Sequence, residues 1–526
     1  MEFKFKVNKD NWGVNVKGDI DYFYQRMGVV QKDAIKTTVL SFIGLSLGYV
    51  NKAILFIALL TVEQVGLMNL VITVGLLFAQ LSNLGSIYST WRFFPFFRNQ
   101  AKNHYGFLLM NMLIVLIGIS IFALLILFFN QSIIDYYSEK SKLFTHYYLW
   151  VIPLGIANIF FMLFESYLRG LYKNVLPVFL QEIFLRVLIL VLLLLLAGKV
   201  IDFNQFFIAH ALVYFIPCTV LLIYLIRLKE LKFSLRSITV PRRFRRILVY
   251  FSMMSYLNSL ATLLVISMDA MMIASYIGLE ATGVYTTIIY LTSALMVPYR
   301  SIVRVSSTLV AKYWQAKDMI GMLDIYQKSS SIGLIIGLLG FLVIYLPINE
   351  LFSFIPAYKS GINVFVILMV GKIFDMYSGL NGTIFSTSKK FRYDLIFTII
   401  LCSMVYFLNK LLIPKYGIDG AAISTSFAYV AYNVLRCGFV YYLFGLQPFN
   451  IKQIKLIGLF SLNVLLAVTF NYYELFIDWN VWLAIGVKEF VVLLGFIVPI
   501  WLFNLEPEIV NFTKNSYRKW SARVRK

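Results

Sequence analysis

The sequence predicts an all-α polytopic membrane protein of about 14 transmembrane helices: two parallel six-helix repeats followed by two extra C-terminal helices. Three observations predict it. The chain of 526 residues is 60% hydrophobic and 14% charged, with a mean hydropathy of +0.79, whereas a soluble domain is about half apolar and a quarter charged. Its apolar residues fall in runs of about 20, the length a helix needs to cross a bilayer. Short signals also recur at one offset: Glu63-Gln64-Val65-Gly66 and Glu280-Ala281-Thr282-Gly283 each follow an apolar run, and 280 − 63 = 217. The same offset pairs Lys52 with Asp269, Lys173 with Lys390, and Ile201-Asp202 with Ile418-Asp419. A constant offset held over that distance implies two copies of one membrane unit, and such duplication is characteristic of transporters.

In chain order, residues 1–33 are polar and of mixed charge, with neither an early apolar run nor a small-residue cleavage site, so they read as a cytoplasmic arm and not a cleavable signal. Fourteen apolar segments follow, near 37–60, 66–90, 106–129, 147–168, 175–197, 204–227, 248–276, 283–305, 329–348, 363–385, 393–413, 420–444, 455–474 and 480–504. Most are apolar all round and lack period-2 alternation, which selects helices over barrel strands.

The loops set the orientation. Lys and Arg crowd the connections after even-numbered segments: Arg92, Arg98 and Lys102; Arg169 and Lys173; Lys312 and Lys317; Lys389, Lys390 and Arg392. The most basic connection follows segment 6 and includes Arg236, Arg242, Arg243, Arg245 and Arg246. The opposite loops are short and poor in basic residues, so both termini are expected in the cytoplasm. The net charge of +22 is thereby explained by topology, and nucleic acid is not an expected partner. The expected organisation is an arm at 1–33, an N-lobe at 34–227, a basic linker at 228–247, a C-lobe at 248–445, two further helices at 446–505 and a basic tail at 506–526. Six spans per copy is even, so both copies insert in the same direction.

Several chemistries are excluded. No loop is long enough for a folded extramembrane domain, no Gly-rich Lys-Ser/Thr phosphate loop is present, and His104, His146 and His210 are too scattered for a metal site. No cofactor is implied and the chain is not expected to be an enzyme. Cys218, Cys402 and Cys437 all lie in apolar segments and read as packing residues.

Charges inside the membrane are costly and point to function. Lys52 sits about 12 Å below the outer end of segment 1. Thr37, Ser41, Gly44, Gly48 and Lys52 share one small, polar helix face, and Ser252, Ser255, Ser259, Thr262 and Asp269 form a matching stripe on segment 7. Two readings stand: the stripes line a wet cavity, or they are small-residue packing with a snorkelling lysine. Glu182 and Arg186, four apart, can pair along segment 5, as a structural ion pair or a substrate contact. Lys372 and Asp375 on segment 10 carry the same ambiguity. Arg300, just after Pro298, is deep enough to face a cavity and suits phosphate, while Arg304 lies nearer the cytoplasmic end. His210 reads as a packing histidine first, Glu165 and Arg169 as interfacial, and Lys488-Glu489 as helix packing or a lipid-facing feature. The abundant Tyr and Phe read first as interfacial belts, with Tyr285 and Tyr290 the alternative candidates for stacking on sugar rings.

Three motifs then carry a resemblance. Leu60-Thr61-Val62-Glu63-Gln64-Val65-Gly66 joins the first two helices, Arg92-Phe93-Phe94-Pro95 closes the second, and Tyr416-Gly417-Ile418-Asp419-Gly420-Ala421-Ala422 opens the twelfth. With fourteen helices in two six-helix lobes, the chain resembles the polysaccharide transporter (O-antigen flippase-like) branch of the multidrug/oligosaccharidyl-lipid/polysaccharide exporter superfamily. The resemblance covers nearly all of the chain after residue 33. It implies a V-shaped, alternating-access arrangement that exports an undecaprenyl-pyrophosphate-linked oligosaccharide across a bacterial inner membrane. Substrate contact is then expected at Lys52, Arg300, Asp269, Lys372 and Arg186, and ion coupling, to H⁺ or Na⁺, at Asp269, Asp375 or Glu182. Membrane lipids and a glycan polymerase or assembly complex are the partners implied, with the protein a monomer. A cation-coupled multidrug exporter of the same superfamily is the alternative. A membrane glycan polymerase or ligase is disfavoured for want of a large external loop, and a scaffold role leaves the charged stripes unexplained.

Overall fold

The computed structural model describes residues 33, 36–99, 104–230, 242–388, 390, 392–472 and 479–502. The arm up to residue 32, most of the basic linker and the basic tail, each named above as an element, lie outside them. The described chain is helical with no strand. Twelve helices are long and apolar enough to span, and a thirteenth span is the bent pair Leu279–Leu295 and Val297–Ala316. The helix Arg392–Phe444 holds two spans, because Gly417 breaks it at φ 61°, ψ −137°. Counted so, the described residues carry the fourteen spans expected.

They run α1 Lys36–Leu59, α2 Val62–Ser82, α3 Phe107–Phe128, α4 Val151–Gly170, α5 Val175–Ala197, α6 Phe203–Arg227 and α7 Arg242–Tyr276. Then come α8 (the bent pair), α9 Met319–Tyr345, α10 Ile362–Tyr377, α11 and α12 on either side of Gly417, α13 Ile451–Tyr472 and α14 Val481–Leu502.

Helix boundaries repeat at the sequence offset. α2 and α8 start at Val62 and Leu279 (279 − 62 = 217), and α5 and α11 at Val175 and Arg392 (392 − 175 = 217). The start of α2 is fixed by Thr61, whose hydroxyl accepts from Gln64 N while the Gln64 side chain accepts from Thr61 N. α8 follows Gly278 at φ +131°, where a side chain would also meet Lys140 O. The two copies touch at equivalent positions: Asn69 Nδ2 donates to Thr286 Oγ1 at 3.0 Å, across 217 residues. Gly66 and Gly283, also equivalent, let the backbones of α2 and α8 cross, since a Cβ on Gly66 would lie 1.9 Å from Leu279 O and one on Gly283 2.2 Å from Val62 O.

Two expected spans are broken. The segment read as 66–90 stops at Asn83, passes through Leu84 (φ 46°) and Gly85 (φ 86°), and resumes as Ser86–Phe97 with Pro95 inside it. Asn83 Oδ1 accepts from Gly85 N at 2.7 Å, so the side chain replaces a missing helical partner. The segment read as 283–305 bends by 50° at Met296, ahead of Pro298. A proline in the first turn of a helix is tolerated because its missing N–H has no intrahelical partner to lose.

Segments α13 and α14 attach to α9 and its neighbour by buried polar contacts. Gln453 Nε2 donates to Ser330 and Ser331 at 3.1 Å, and Lys488 Nζ pairs with Glu350 Oε1 at 2.5 Å.

Candidate functional site

Two cavities open at membrane depth, one in each half. The N-side cavity, about 310 Å³, is lined by Asn51, Lys52, Arg186, His210, Tyr214 and Tyr290 among others. Both helices supplying its cations are locally widened, α1 into a π-turn at Val50–Leu55 and α5 at Leu180–Phe184. Such turns recur at functional sites. Lys52 Nζ stands 5.7 Å from the Tyr290 ring centroid and has no carboxylate partner among the described residues. Arg186 pairs with Glu182 at 2.6 Å, as its spacing predicted, yet its Nη1 is buried without a hydrogen-bond partner. Asn51, 3% exposed, donates to Arg186 O at 2.8 Å and leaves its own Oδ1 unpartnered.

The glycines of the α1 stripe pack. A Cβ on Gly44 would meet Glu182 O at 2.5 Å, and one on Gly48 would meet Arg186 Nη1 at 2.8 Å. Small residues therefore seat α1 against the Glu182–Arg186 pair, and Lys52 at the stripe's end reaches the cavity. His210 is buried among the Phe56, Phe206 and Tyr214 rings, a packing histidine at the cavity wall.

The C-side cavity is larger, about 720 Å³, and holds charges of both signs. Its carboxylates are occupied. Asp269, 2% exposed, accepts from Tyr285 Oη at 2.6 Å, Thr425 Oγ1 at 2.7 Å and Asn409 Nδ2 at 2.7 Å. Asp375 Oδ1 accepts from Asn433 Nδ2 at 2.9 Å. Asp394 is paired with Arg436, which also donates to Tyr432 Oη at 2.6 Å. The other cations are not matched. Arg300, Arg304 and Lys372 line the cavity without an ion pair among the described residues, and Lys372 Nζ reaches only Ser293 Oγ, at 3.3 Å, and Met296 Sδ. Lys372 and Asp375 do not pair, although three apart on α10.

The structure thus divides the predicted residues: Lys52 and Arg186, with Glu182 beside them, on the N side, and Asp269, Arg300, Lys372 and Asp375 on the C side. The α7 stripe divides as well. Thr262 and Asp269 line the cavity, while Ser252 packs on Gly85, whose Cβ would sit 3.1 Å from Ser252 O. Tyr285 is fully buried on Asp269, whereas Tyr290, stacked on Tyr49, lines the N-side cavity. Arg300 also borders a gap of about 490 Å³ between α1 and α8, walled by Leu45, Tyr49, Val50, Tyr290 and Val297. Sequence reasoning missed Asn409, Thr425, Asn433 and the Asp394–Arg436 pair. Arg436 carried a usable signal, as a charge inside an apolar segment. The amides and hydroxyl carried none.

Glu165 and Arg169 pair near the end of α4, with Arg169 over the Trp91 ring.

No family profile matches the chain. It is 26% identical over 246 residues to an uncharacterized membrane protein of Methanocaldococcus jannaschii, a match spanning 44% of this chain and about half (46%) of that protein. Among solved structures it resembles the lipid II flippase MurJ in an inward closed conformation (TM-score 0.64, 16% identity, 90% of this chain and 99% of that one). It also resembles an inward-facing multidrug resistance MATE family transporter of the MOP superfamily (TM-score 0.63, 14% identity, 78% and 98%), and a MOP superfamily transporter from Pyrococcus furiosus (TM-score 0.53, 15% identity, 79% and 96%). The fold is therefore the one found in MOP-superfamily transporters.

Proposed function

We propose that the protein is a flippase of this superfamily, carrying an undecaprenyl-pyrophosphate-linked oligosaccharide, such as an O-antigen, capsule or exopolysaccharide repeat unit, from the cytoplasmic to the outer face of the bacterial inner membrane by alternating access. One observation carries the reading. In the two cavities the carboxylates are satisfied within the protein, chiefly by neutral donors, while Lys52, Arg300 and Lys372 make no ion pair among the described residues. Unmatched cations facing a polar cavity call for an anion, and arginine and lysine both bind phosphate. The cavities give a sugar headgroup replacements for its water hydrogen bonds, whose loss in hydrocarbon is costly. The gap between α1 and α8 lets a polyprenyl tail stay in lipid while the headgroup is inside. In this reading both termini are cytoplasmic and the protein acts as a monomer, in exchange with lipids and, where present, a glycan polymerase or assembly complex.

Asp269 is the coupling group we favour, ahead of Asp375 and Glu182. It has three polar neighbours, and Asn409 Oδ1 beside it is buried and unpartnered. A proton or Na⁺ at that carboxylate changes the local charge and hence the hydrogen-bond pattern between α7, α8, α11 and α12.

Deleting the gene in its host and analysing lipid-linked intermediates tests the function. Accumulation of undecaprenyl-linked oligosaccharide on the cytoplasmic face is expected, restored to normal by the wild-type gene and not by Lys52→Ala. Normal surface glycan in the deletion strain overturns it. For coupling, Asp269→Asn in proteoliposomes is expected to give flux that no longer responds to a pH or Na⁺ gradient.

A second reading, a cation-coupled multidrug exporter, draws on the carboxylates lining the C-side cavity and on the MATE-like fold. Drug-resistance profiles of an expressing strain separate the two.

A further inference from the structure

We propose that a pocket on the lipid-facing flank, between α1, α8, α9 and α14, binds a hydrophobic organic cation, with Glu489 as its counter-charge. The pocket measures about 350 Å³, within the range of small-molecule sites. Its wall is almost wholly apolar and aromatic, with Tyr49, Tyr290, Leu351, Phe352 and Ile485 prominent, and Glu489 is its one charged lining residue among those described.

Glu489 lies 489 − 481 = 8 residues into α14. At 1.5 Å per residue it is about 12 Å from the helix start, inside a hydrocarbon core about 30 Å thick. Among the described residues it takes part in no ion pair or hydrogen bond. Its neighbour Lys488 projects about 100° away around the helix. Lys488 is instead turned to Glu350, at 2.5 Å, and is only 3% exposed there. The second oxygen of Glu350 is buried without a partner. Glu350 and Glu489 thus stand on this flank, with Lys488 paired to the first.

The anion-seeking face of the protein is kept apart. Tyr290 walls both this pocket and the N-side cavity, with Lys52 near its ring and Tyr49 stacked on it at 6.3 Å between centroids. One aromatic wall thus divides a cationic cavity from an acidic pocket.

The chemistry selects the occupant. A bare metal ion needs several oxygen ligands, and the wall adds only Thr287 and tyrosine hydroxyls to Glu489. An anionic amphiphile meets like charge. A cation with an apolar body satisfies both the carboxylate and the wall, and aromatic rings add favourable contacts. A carboxylate held at membrane depth without a partner is itself a mark of function. This proposal is independent of the flippase reading, which concerns cations facing the other side of the wall.

The test uses the full-length protein in nanodiscs with two ions of nearly equal size and opposite charge, tetraphenylphosphonium and tetraphenylborate. Saturable binding of the phosphonium is expected, about tenfold or more tighter than of the borate. Glu489→Gln, which keeps the shape, is expected to lower phosphonium affinity about tenfold. Ile485→Trp, which fills the pocket and keeps the charge, is expected to abolish saturable binding. Equal binding of the two ions, or phosphonium binding unchanged by either variant, overturns the proposal. Thermal unfolding of each variant shows whether it remains folded.

Discussion

The crossing of α2 and α8 makes the strongest structural prediction. A Cβ on Gly66 would lie 1.9 Å from Leu279 O and 2.9 Å from Gly283 N, both backbone atoms. Ordinary contact begins at 3.4 Å, so the helices must separate by about 1.5 Å (3.4 − 1.9) at this point. A backbone obstacle does not rotate away, and overpacking of this kind costs about 1–3 kcal/mol. Gly66→Ala therefore weakens the closed crossing by about one order of magnitude, since each 1.4 kcal/mol is tenfold. The reporter is a cysteine pair at Asn69 and Thr286, whose side chains now share a 3.0 Å hydrogen bond, in a background with the three native cysteines replaced. Oxidative cross-linking of this pair is expected to slow about tenfold in Gly66→Ala, and to respond similarly to Gly283→Ala, its equivalent in the second copy. Gly438→Ala, which adds a methyl to open space, is the control. Cross-linking at the wild-type rate in Gly66→Ala refutes the crossing.

Two further perturbations test other contacts. Lys488→Met leaves Glu350 buried and unpaired, and is expected to cost about 3 kcal/mol, the low end for breaking a buried pair because Glu350 keeps some exposure; Lys488→Met with Glu350→Leu is expected to restore most of the thermal stability in detergent. At the start of the inter-lobe linker, burial alone would raise the Glu230 pKa, but His104, 3.0 Å away, the Tyr167 hydroxyl at 3.1 Å and nearby Lys173 hold it below its ordinary 4.5. The folded value being the lower, this contact stabilises fully above pH 4.5 and is lost as pH falls through the folded value. Limited proteolysis of the linker is expected to accelerate only in acid for the wild type, and to be faster at neutral pH in His104→Ala.

Much of the fold was legible because it depends on quantities a sequence carries directly. Segment length and apolarity locate spans whatever their tertiary partners, and the 217-residue offset reappears in the starts of α2, α8, α5 and α11. Breaks were less legible. The break after 393–413 was legible and falls at Gly417, but Leu84 adopts a positive φ without any compositional mark. At the site, charges announced themselves because they are rare in hydrocarbon. Their partners did not: Asn409, Thr425 and Asn433 are ordinary helix residues until tertiary packing brings them to Asp269 and Asp375. The small-residue stripe on α1 was ambiguous for the same reason. Gly44 and Gly48 serve the approach of α5, a fact that depends on what lies opposite.

The repeat relates Lys52 to Asp269, and their opposite signs raise the prospect that they pair in one state as a gate. The energetics disfavour it. Asp269 accepts three hydrogen bonds, from Tyr285, Thr425 and Asn409. Bonds to a charged group are worth about 1.5–3 kcal/mol each, so leaving all three costs about 4.5–9 kcal/mol. A salt bridge at 4 Å returns about 4 kcal/mol at an effective dielectric of 20, before the cost of drawing Lys52 from its place beside Tyr290. The two charges then act separately, Lys52 on an anion and Asp269 on an ion that can join its existing partners. Exchanging them tests this: with separate roles, Lys52→Asp combined with Asp269→Lys transports no better than either single variant, because the exchange takes the cation from the N-side cavity and the carboxylate from its three donors. Recovery of flux in the double variant would restore the gate.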